Sequence, residues 1–436
     1  MNSIDPRDFV TRVYRAGVAA ADPEAATRQA VAALDDLAPA VWIVAIGKAA
    51  HGMASGAANA VRSRRLSIAG GLVVAHEPGR NTSHELPFVQ GEHPLPGRGS
   101  QLAADYLRDV ATETTEGSDA LVLVSGGATS LIAAPVEGLS PDELRETFDA
   151  LLASGADIQL MNALRKRLLR FGGGRLAIAL QCRRVHCLIA SDVIGNDTAS
   201  IASGPCVADS SSTAATRDRA RSASVWDRLP ERARRFLDAM ADGSEIDLPA
   251  TDQPRFASTS VAVILDRTDA ERGAARDARA MGVAAGVLPK PLTGEAAIAG
   301  ERFARYLLAR ARGEPQCILW SGETTVSLGA SRGIGGRCQE FALACAKELD
   351  AEGNSAAGIT VLAAGTDGRD GPTDAAGAVV DASTWATIRK SGIDPEAALR
   401  EHSAYGALEV AGALLTTGAT GTNVNDLVVA LLSPQV

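Results

Sequence analysis

Residues 366–374 read Thr-Asp-Gly-Arg-Asp-Gly-Pro-Thr-Asp and place three carboxylates, Asp367, Asp370 and Asp374, in one glycine-containing loop. The apolar run 359–364 precedes this loop and is short enough to be a buried strand. Open α/β sheets bind their ligands at the carboxyl ends of strands. Because three carboxylates gathered there repel one another, the pattern indicates a site for Mg²⁺ or for positively charged partners.

Short glycine-rich loops follow other predicted strands. Residues 124–130, Val-Ser-Gly-Gly-Ala-Thr-Ser, offer backbone N–H groups and hydroxyls before a helical segment, which suits a phosphate but equally suits a tight turn. Residues 333–337, Gly-Ile-Gly-Gly-Arg, bring an arginine to the start of a predicted helix. Since a cation is unfavourable at a helix N-terminus, this pattern indicates an anion bound there. Residues 418–426 form a third such loop, consistent with phosphate contacts or with an Asn-rich turn.

Two single charged residues also follow predicted strands. Lys48 comes after the apolar run 41–46 and opens a helix, so it would face the glycine loops at the edge of a parallel sheet. The ordinary role of any one lysine is surface solvation. Asp192 comes after the run 185–190 and could hold a metal or accept a proton from a hydroxyl. An Asx-turn cap explains an aspartate there equally well.

Missing patterns exclude several other kinds of site. The chain has no GxxxxGK[ST] phosphate loop, no GxSxG nucleophile turn, no GxGxxG dinucleotide fingerprint and no HExxH or paired zinc spacing among its six histidines. His93 is therefore interpreted as a hydrogen-bonded structural group. The net charge of −9, from 43 basic and 52 acidic residues, argues against nonspecific nucleic-acid binding.

The first residues, MNSIDPRDFVTRVYR, show neither a signal peptide pattern nor a membrane span. The six cysteines form no CxxC pair, which favours reduced thiols. We therefore expect a cytoplasmic protein without a membrane partner.

These loops require strands to carry them, and the hydrophobic pattern supplies strands in two groups. A chain of 436 residues exceeds what one core usually carries, so two α/β domains are expected. From about 207 to 256 the chain is polar and strand signals vanish, which predicts domains at 1–245 and 246–436. Continuous apolar runs read as buried strands, with helical segments between them, at 41–46, 71–75, 120–124, 185–190, 261–265, 317–320, 324–328, 359–363 and 427–432.

Together the motifs resemble one family: the glycerate kinases that phosphorylate D-glycerate at the 2-hydroxyl and carry a C-terminal domain named MOFRL. The resemblance covers almost the whole chain. The matching segments occur in the family's order at 45–50, 91–96, 125–127, 191–193, 203–205, 335–340, 366–368 and 420–424.

The resemblance implies a Rossmann-like N-terminal domain with a parallel-rich sheet, a smaller mixed α/β C-terminal domain, and an active site in the cleft between them. It implies ATP, Mg²⁺ and a small hydroxy-acid substrate, and it allows a homodimer. Lys48 and Arg337 match residues that are thought to act in the family's active site.

We accordingly predict phosphoryl transfer by positioning and charge neutralisation. The catalytic residues would be Lys48 and Arg337, which stabilise transferring charge, and Asp192, which orients or deprotonates the acceptor hydroxyl. The metal would be bound by Asp367 and Asp370, and the substrate by Arg175, Ser203 and Glu340. The residues predicted to hold nucleotide phosphates are Ser125, Gly126, Gly127, Thr129, Ser130, Gly335, Gly336, Thr420, Gly421, Thr422 and Asn423.

The chain departs from the family's usual residues near this predicted site. Gly172 stands where a lysine is usual, Asn196 where an aspartate is usual, and Cys338 where an asparagine is common. The loss of one cation and one carboxylate points to an alternative, a kinase of a different small hydroxy acid or polyol. Two further alternatives are a hydroxypyruvate reductase, against which the missing dinucleotide fingerprint argues, and a noncatalytic ligand-binding protein.

Overall fold

The computed structural model describes residues 5–79, 85–310, 313–329 and 333–434. Their helices are α1 (Pro6–Ala20), α2 (Pro23–Ala32), α3 (Ala50–Ser63), α4 (Arg98–Glu113), α5 (Ala128–Leu131), α6 (Pro141–Ala153), α7 (Ile158–Leu168), α8 (Arg175–Ala179), α9 (Thr213–Ser222), α10 (Glu231–Ala241), α11 (Pro254–Ala257), α12 (Arg267–Ala280), α13 (Ala296–Leu308), α14 (Arg337–Ala351), α15 (Thr384–Lys390), α16 (Pro395–Arg400) and α17 (Ala404–Val410). Their strands are β1 (Ala40–Ile46), β2 (Ser67–Ala75), β3 (Phe88–Gln90), β4 (Ser118–Ser125), β5 (Arg184–Ala190), β6 (Thr259–Leu265), β7 (Ala284–Val287), β8 (Gln316–Gly322), β9 (Ile359–Gly365), β10 (Gly377–Asp381), β11 (Leu414–Leu415) and β12 (Asp426–Leu432).

Pro23–Ile264 form one compact unit around a sheet with the strand order β3-β2-β1-β4-β5-β6. Strands β1 to β5 pair in parallel within it. This order reverses between β1 and β4, which is the Rossmann switch point where such sheets bind ligands. Nearly every residue of β1, β4 and β5 is buried, as expected for a parallel sheet covered on both faces. The predicted parallel-rich α/β domain is confirmed.

The other unit joins the segment that ends at Asp22 to the segment that begins at Leu265. Its sheet has the order β11-β10-β9-β12-β8-β7 and is mixed, as predicted. Strand β12 lies between β8 and β9 and is antiparallel to both. Strands β8 and β9 therefore end at the edge where β12 begins, and Asp426 lies opposite both Gly322 and Gly365.

Helix α1 packs against α12 and strand β12 within this second unit. Its buried stripe is formed by Phe9, Val10, Val13, Tyr14 and Gly17. Small residues let the two helices cross closely, since a Cβ atom on Gly273 would lie 2.2 Å from the Ala20 Cβ and 2.9 Å from the Ala16 carbonyl oxygen.

Two expectations from the sequence differ from this structure. The units divide at 22/23 and 264/265, whereas the polar stretch at 207–256 suggested a boundary at 245/246. That stretch folds as helices within the first unit, because its polar residues alternate with apolar ones that pack into a hydrophobic core. These include Ala220, Trp226 and Phe236. The strand predicted at 324–328 is wrong: it makes only an isolated bridge between Glu295 and Thr325, and the Glu295 carboxylate accepts hydrogen bonds from the side chains of Thr325 and Ser327.

All six cysteine side chains are buried and unbridged. Within the described ranges, each helix is too short or too polar to cross a bilayer.

The close crossing of α1 and α12 predicts that two glycine-to-alanine substitutions will differ strongly in their effect on the free energy of unfolding. Gly273→Ala should lower the free energy of unfolding by about 1–3 kcal/mol through overpacking, partly offset by the higher helix propensity of alanine. Gly406→Ala gains the same propensity in α17, where nothing lies within 4 Å of the added Cβ. Urea unfolding of both variants measures the difference, and equal stabilities would contradict the close crossing.

Candidate functional site

In the first unit, a rigid turn carries Lys48 away from the end of β1. The Lys48 N–H donates to the Gly126 carbonyl at 2.9 Å, and the Ala49 N–H donates to Ser125 Oγ at 3.0 Å. Gly47 has φ +128°, and a Cβ atom on it would lie 2.2 Å from Ser125 Oγ. The turn after β1 is therefore joined to the turn after β4, at the switch point of the sheet. The buried Ser125 hydroxyl is used in this join.

Two side chains converge on Gly127 in the turn after β4. A Cβ atom there would lie 3.0 Å from His93 Cδ2 and 3.7 Å from Lys48 Cγ. Its φ of +83° also favours glycine. Nearby, Ser130 Oγ donates to the Pro94 carbonyl at 2.6 Å, so the segment of His93 is tied to the same loop. The structure thus brings His93 beside Lys48, a neighbour that the sequence analysis had set aside.

A strained turn brings Ser203 to this loop as well. Ser203 Oγ lies 3.1 Å from Thr129 Oγ1. Ala202, Ser203 and Gly204 have consecutive φ values of +53°, +62° and +59°, which cost energy for the two residues that carry a Cβ atom. The Gly173 N–H donates to the Ser203 carbonyl at 2.9 Å, which helps to hold the turn in place. Such strain concentrates where a side chain must be held for function.

Asp192 and Arg175, the other predicted catalytic and substrate-binding residues of this unit, lie in different surroundings from one another. Asp192 lies two residues beyond β5 and is partly exposed. Because β4 pairs with β5 so that Ser125 is aligned with Ala190, Asp192 is at the same sheet edge as the Gly126 turn. Arg175 Nη1 instead donates to the carbonyls of Lys166 and Leu169, at 2.9 and 3.0 Å, at the end of α7. Burial lowers the pKa of Arg175 to about 10.

In the second unit, Arg337 is held by two carboxylates. Its Nε and Nη2 donate to the Asp426 carboxylate at 2.6 and 2.9 Å, and Nη1 lies 2.7 Å from Glu323 Oε1. Burial would lower the pKa of Arg337, but the charges of Asp426 and Glu323 reverse that effect and hold the pKa above its ordinary value. Asp426 is 2% exposed, so the bidentate pair is largely shielded from water on the carboxylate side.

Asp370 caps the start of α14. Its two carboxylate oxygens accept the backbone N–H groups of Cys338 and Gln339 at 3.1 and 2.8 Å. A Cβ atom on Gly336 would lie 2.2 Å from the Asp370 carboxyl carbon, so glycine is required for this approach. The start of α14, where the sequence predicted a bound anion, is thus capped by a carboxyl group of the chain itself. Burial, and then the charge of Asp426, raises the pKa of Asp370 to about 7.

The glycine-rich loops at 333–337 and 418–426 both pack against the acidic loop at 366–374. A Cβ atom on Gly371 would lie 2.2 Å from the Gly335 carbonyl oxygen. On the other side, Thr420 Oγ1 donates to the Thr366 carbonyl at 2.6 Å, and Thr366 Oγ1 donates to the Asn425 carbonyl at 2.6 Å. Gly335, Gly336 and Thr420 are therefore brought to the acidic loop, as are Gly421, Thr422 and Asn423, which follow Thr420 in the same segment.

Glu340, a predicted substrate-binding residue, lies one turn into α14 and is buried. Its Oε2 is 2.8 Å from His402 Nδ1. Burial raises the pKa of Glu340 against the opposing effect of His402. In this structure Glu340 is therefore the buried acid of an acid–imidazole pair, whose His402 is partly exposed.

The acidic loop fits a divalent cation only in part. Within the described residues, no group of three or more His, Cys, Asp or Glu side chains is placed to hold a metal ion. Asp367 is partly exposed, and its Oδ1 and the Asp426 Oδ1 both lie within 4 Å of a Cβ atom built on Gly365. Mg²⁺ usually takes one or two protein carboxylates and fills its remaining positions with water and phosphate oxygens. Asp367 fits that pattern better than Asp370, both of whose oxygens already serve as a helix cap.

Sequence reasoning missed Glu323 and Asp426, the two partners of Arg337. A signal was available for Glu323, since it directly follows β8 as Lys48 and Asp192 follow their strands. Asp426 is the first residue of a strand, and only the register of β12 between β8 and β9 reveals its place.

The family described as a domain of unknown function (DUF4147) matches residues 9–238, and the MOFRL family matches residues 316–426. The chain is 33% identical to glycerate 2-kinase from Pyrococcus horikoshii over 100% of this chain and 99% of that protein. A protein of Agrobacterium vitis, 36% identical over 98% of this chain and 94% of its own length, is provisionally named hydroxypyruvate reductase. The crystal structure of glycerate kinase from Thermotoga maritima matches with a TM-score of 0.82 at 31% identity, covering 98% of this chain and 99% of that one.

The raised pKa of Asp370 predicts a pH dependence of stability. The folded protein keeps a proton on Asp370 up to about pH 7, whereas the ordinary pKa is 3.8. The stabilisation of the folded state by this proton is therefore complete below about pH 4. It is lost as the pH rises to about 7, and the free energy of unfolding falls by up to about 1.4 kcal/mol per pH unit. Urea unfolding in metal-free buffer should show this slope in the parent protein and lose it in Asp370→Asn. Asp374→Asn, at the exposed end of the same loop, is the matched control, and identical slopes for the parent and Asp370→Asn would refute the assignment.

Proposed function

The chain belongs to the glycerate kinase family, and from that premise we propose that it transfers the γ-phosphate of ATP to the 2-hydroxyl of D-glycerate, giving 2-phosphoglycerate and ADP. The observation that carries this proposal is the rigid turn of Lys48 at the switch point of a Rossmann sheet, beside the Gly126-Gly127 loop. A cation and backbone N–H groups at that place are what a phosphate chain requires.

Phosphoryl transfer needs little covalent help from a protein, so alignment and charge neutralisation supply most of the catalysis. Lys48 is exposed, while the backbone that carries it is locked through Ser125. Its ammonium group would therefore approach the transferring phosphoryl group from a rigidly held backbone. Ser125 would act by holding this turn, while the amides that follow it and the hydroxyls of Thr129 and Ser130 would lie nearer the nucleotide.

Arg337 would neutralise charge from a preorganised position. Its side chain is 35% exposed although Asp426 and Glu323 bind it, so part of the guanidinium can meet an incoming phosphate. The two carboxylates would prevent the long side chain from adopting other rotamers. Gly335 and Gly336 would bring the start of α14 to the same place, and the segment from Thr420 to Asn423 would complete the nucleotide side.

Asp367 would hold a divalent metal together with phosphate oxygens and water. When bound, such a metal supplies positive charge that offsets the charge of the phosphates. Asp370 would contribute through the helix start that it caps rather than as the main metal ligand.

For the acceptor, Asp192 would orient or deprotonate the hydroxyl, and Ser203 would bind the small hydroxy acid. The Ser203 hydroxyl is carried by a strained turn and lies within hydrogen-bond distance of Thr129 Oγ1 in the neighbouring loop, so it is held in a defined position for a small substrate. Arg175 and Glu340 would support the site indirectly, because their side chains are bound to the end of α7 and to His402.

ADP release with Mg-ATP against a panel of small hydroxy acids and polyols tests this function directly. We expect turnover with D-glycerate, and phosphorus NMR should place the new phosphate on the 2-hydroxyl. Turnover with another acceptor instead would assign a different substrate within the family. NADH oxidation by hydroxypyruvate without ADP release would favour a reductase, and ligand binding without either reaction would favour a binding protein.

Replacing either cation should slow the reaction strongly. Lys48→Ala and Arg337→Ala should each lower kcat by about 10²–10³-fold, the usual size of a lost charge-stabilising contact in a transition state. Lys390→Ala and Arg302→Ala are matched controls, since both side chains are exposed on helices of the second unit. Steady-state kinetics with saturating ATP provides the measurement. A kcat within a few-fold of the parent for Lys48→Ala or Arg337→Ala would remove that residue from the mechanism.

A further inference from the structure

Tyr14 lies in α1 and reaches a strand end more than three hundred residues further along the chain. Its hydroxyl donates to the Gly365 carbonyl at 2.6 Å. The side chain is 1% exposed, and a buried tyrosine hydroxyl requires such a partner. The contact belongs to the second unit, because α1 packs within that unit.

The carbonyl that Tyr14 binds is the point where β9 turns into the acidic loop. Gly365 is the last residue of β9, and its carbonyl also accepts the Gly368 N–H at 3.1 Å. The turn closed by that second bond contains Thr366 and Asp367. Fixing the Gly365 carbonyl therefore fixes the direction in which Asp367 leaves the sheet.

The surroundings of Tyr14 show how near it lies to the charged residues. Burial above all, with Cys338, Asp367 and Asp426 adding to it, raises the pKa of Tyr14. The phenol therefore stays neutral and remains a hydrogen-bond donor throughout the ordinary pH range. A phenylalanine would fill nearly the same space without this donor.

Helix α1 has little freedom to move away from the loop. A Cβ atom on Gly17 would lie 2.8 Å from Leu427 Cδ2 and 2.9 Å from the Ala270 carbonyl oxygen. Leu427 directly follows Asp426, so the helix is seated on the strand that carries the partner of Arg337. One rigid element thus contacts both the Asp426 strand and the Asp367 turn.

We infer that Tyr14 is a positioning residue for phosphoryl transfer, and that its hydrogen bond to Gly365 sets Asp367 relative to the Arg337–Asp426 pair. This inference rests on the proposed function. Tyr14 would not touch substrate; it would act through the acidic loop.

Tyr14→Phe tests the inference in two independent ways. In the ligand-free protein, backbone amides of residues 366–374 should exchange hydrogen at least about fivefold faster than in the parent, while those of α14 beyond its first turn keep their rates. In the enzyme assay, kcat should fall about tenfold and the Mg²⁺ concentration for half-maximal rate should rise, with KM for D-glycerate within about twofold. Tyr306→Phe is the control, since Tyr306 is exposed on α13 and its hydroxyl, among the contacts described, only accepts a hydrogen bond from Arg310.

The outcomes separate the inference from the proposed function. Faster loop exchange together with lower kcat supports the positioning role, whereas a lower melting temperature with unchanged kcat and unchanged Mg²⁺ dependence would show a merely structural tyrosine. Unchanged exchange of residues 366–374 would overturn the inference whatever the kinetics. If the parent phosphorylates none of the acceptors, the proposed function fails and takes the catalytic part of the inference with it, while the exchange result still decides whether Tyr14 holds the loop.

Discussion

The bidentate ion pair between Arg337 and Asp426 is the interaction on which the charged site of the second unit depends. A carboxylate as buried as Asp426 is costly unless a cation pairs with it and satisfies its oxygens. Arg337 does both, since its planar fork matches the two oxygens. Removing either partner would leave an uncompensated charge at the sheet edge, where the acidic loop and the start of α14 also meet.

The neighbouring glycines follow from this pair. Asp426 begins β12 between Gly322 and Gly365, two positions without side chains to crowd its carboxylate. Gly336 then admits Asp370 to the first turn of α14, which places a second carboxylate near the same arginine. The net effect is a group of acids around one fixed cation. Such a group makes the electrostatic potential at this sheet edge more negative, which favours the approach of positive charge.

In the first unit, strand order rather than an ion pair positions the charged residue. Parallel strands β1 and β4 leave the sheet side by side where the strand order reverses, so their turns are close by construction. Gly47 and Ser125 convert this proximity into a rigid join, and Lys48 is presented from it. The same join explains why Ser125, predicted to bind phosphate, is buried: its hydroxyl holds the backbone on which the lysine stands.

What the sequence determined by itself was local. The buried strands, the acidic loop after β9 and the position of Lys48 after β1 follow from apolar runs and the residues beside them, and the rule that strand ends carry ligands placed both at sheet edges. Only the tertiary structure decided that Glu323 and Asp426 bind Arg337, that Asp370 caps α14, that Arg175 is bound to the end of α7, and that α1 packs in the second unit. Most of these contacts join residues far apart in the chain, as Tyr14 and Gly365 are, 351 positions apart. Strand order and register choose such partners, and a periodic pattern of apolar residues carries no record of which strand will lie beside which.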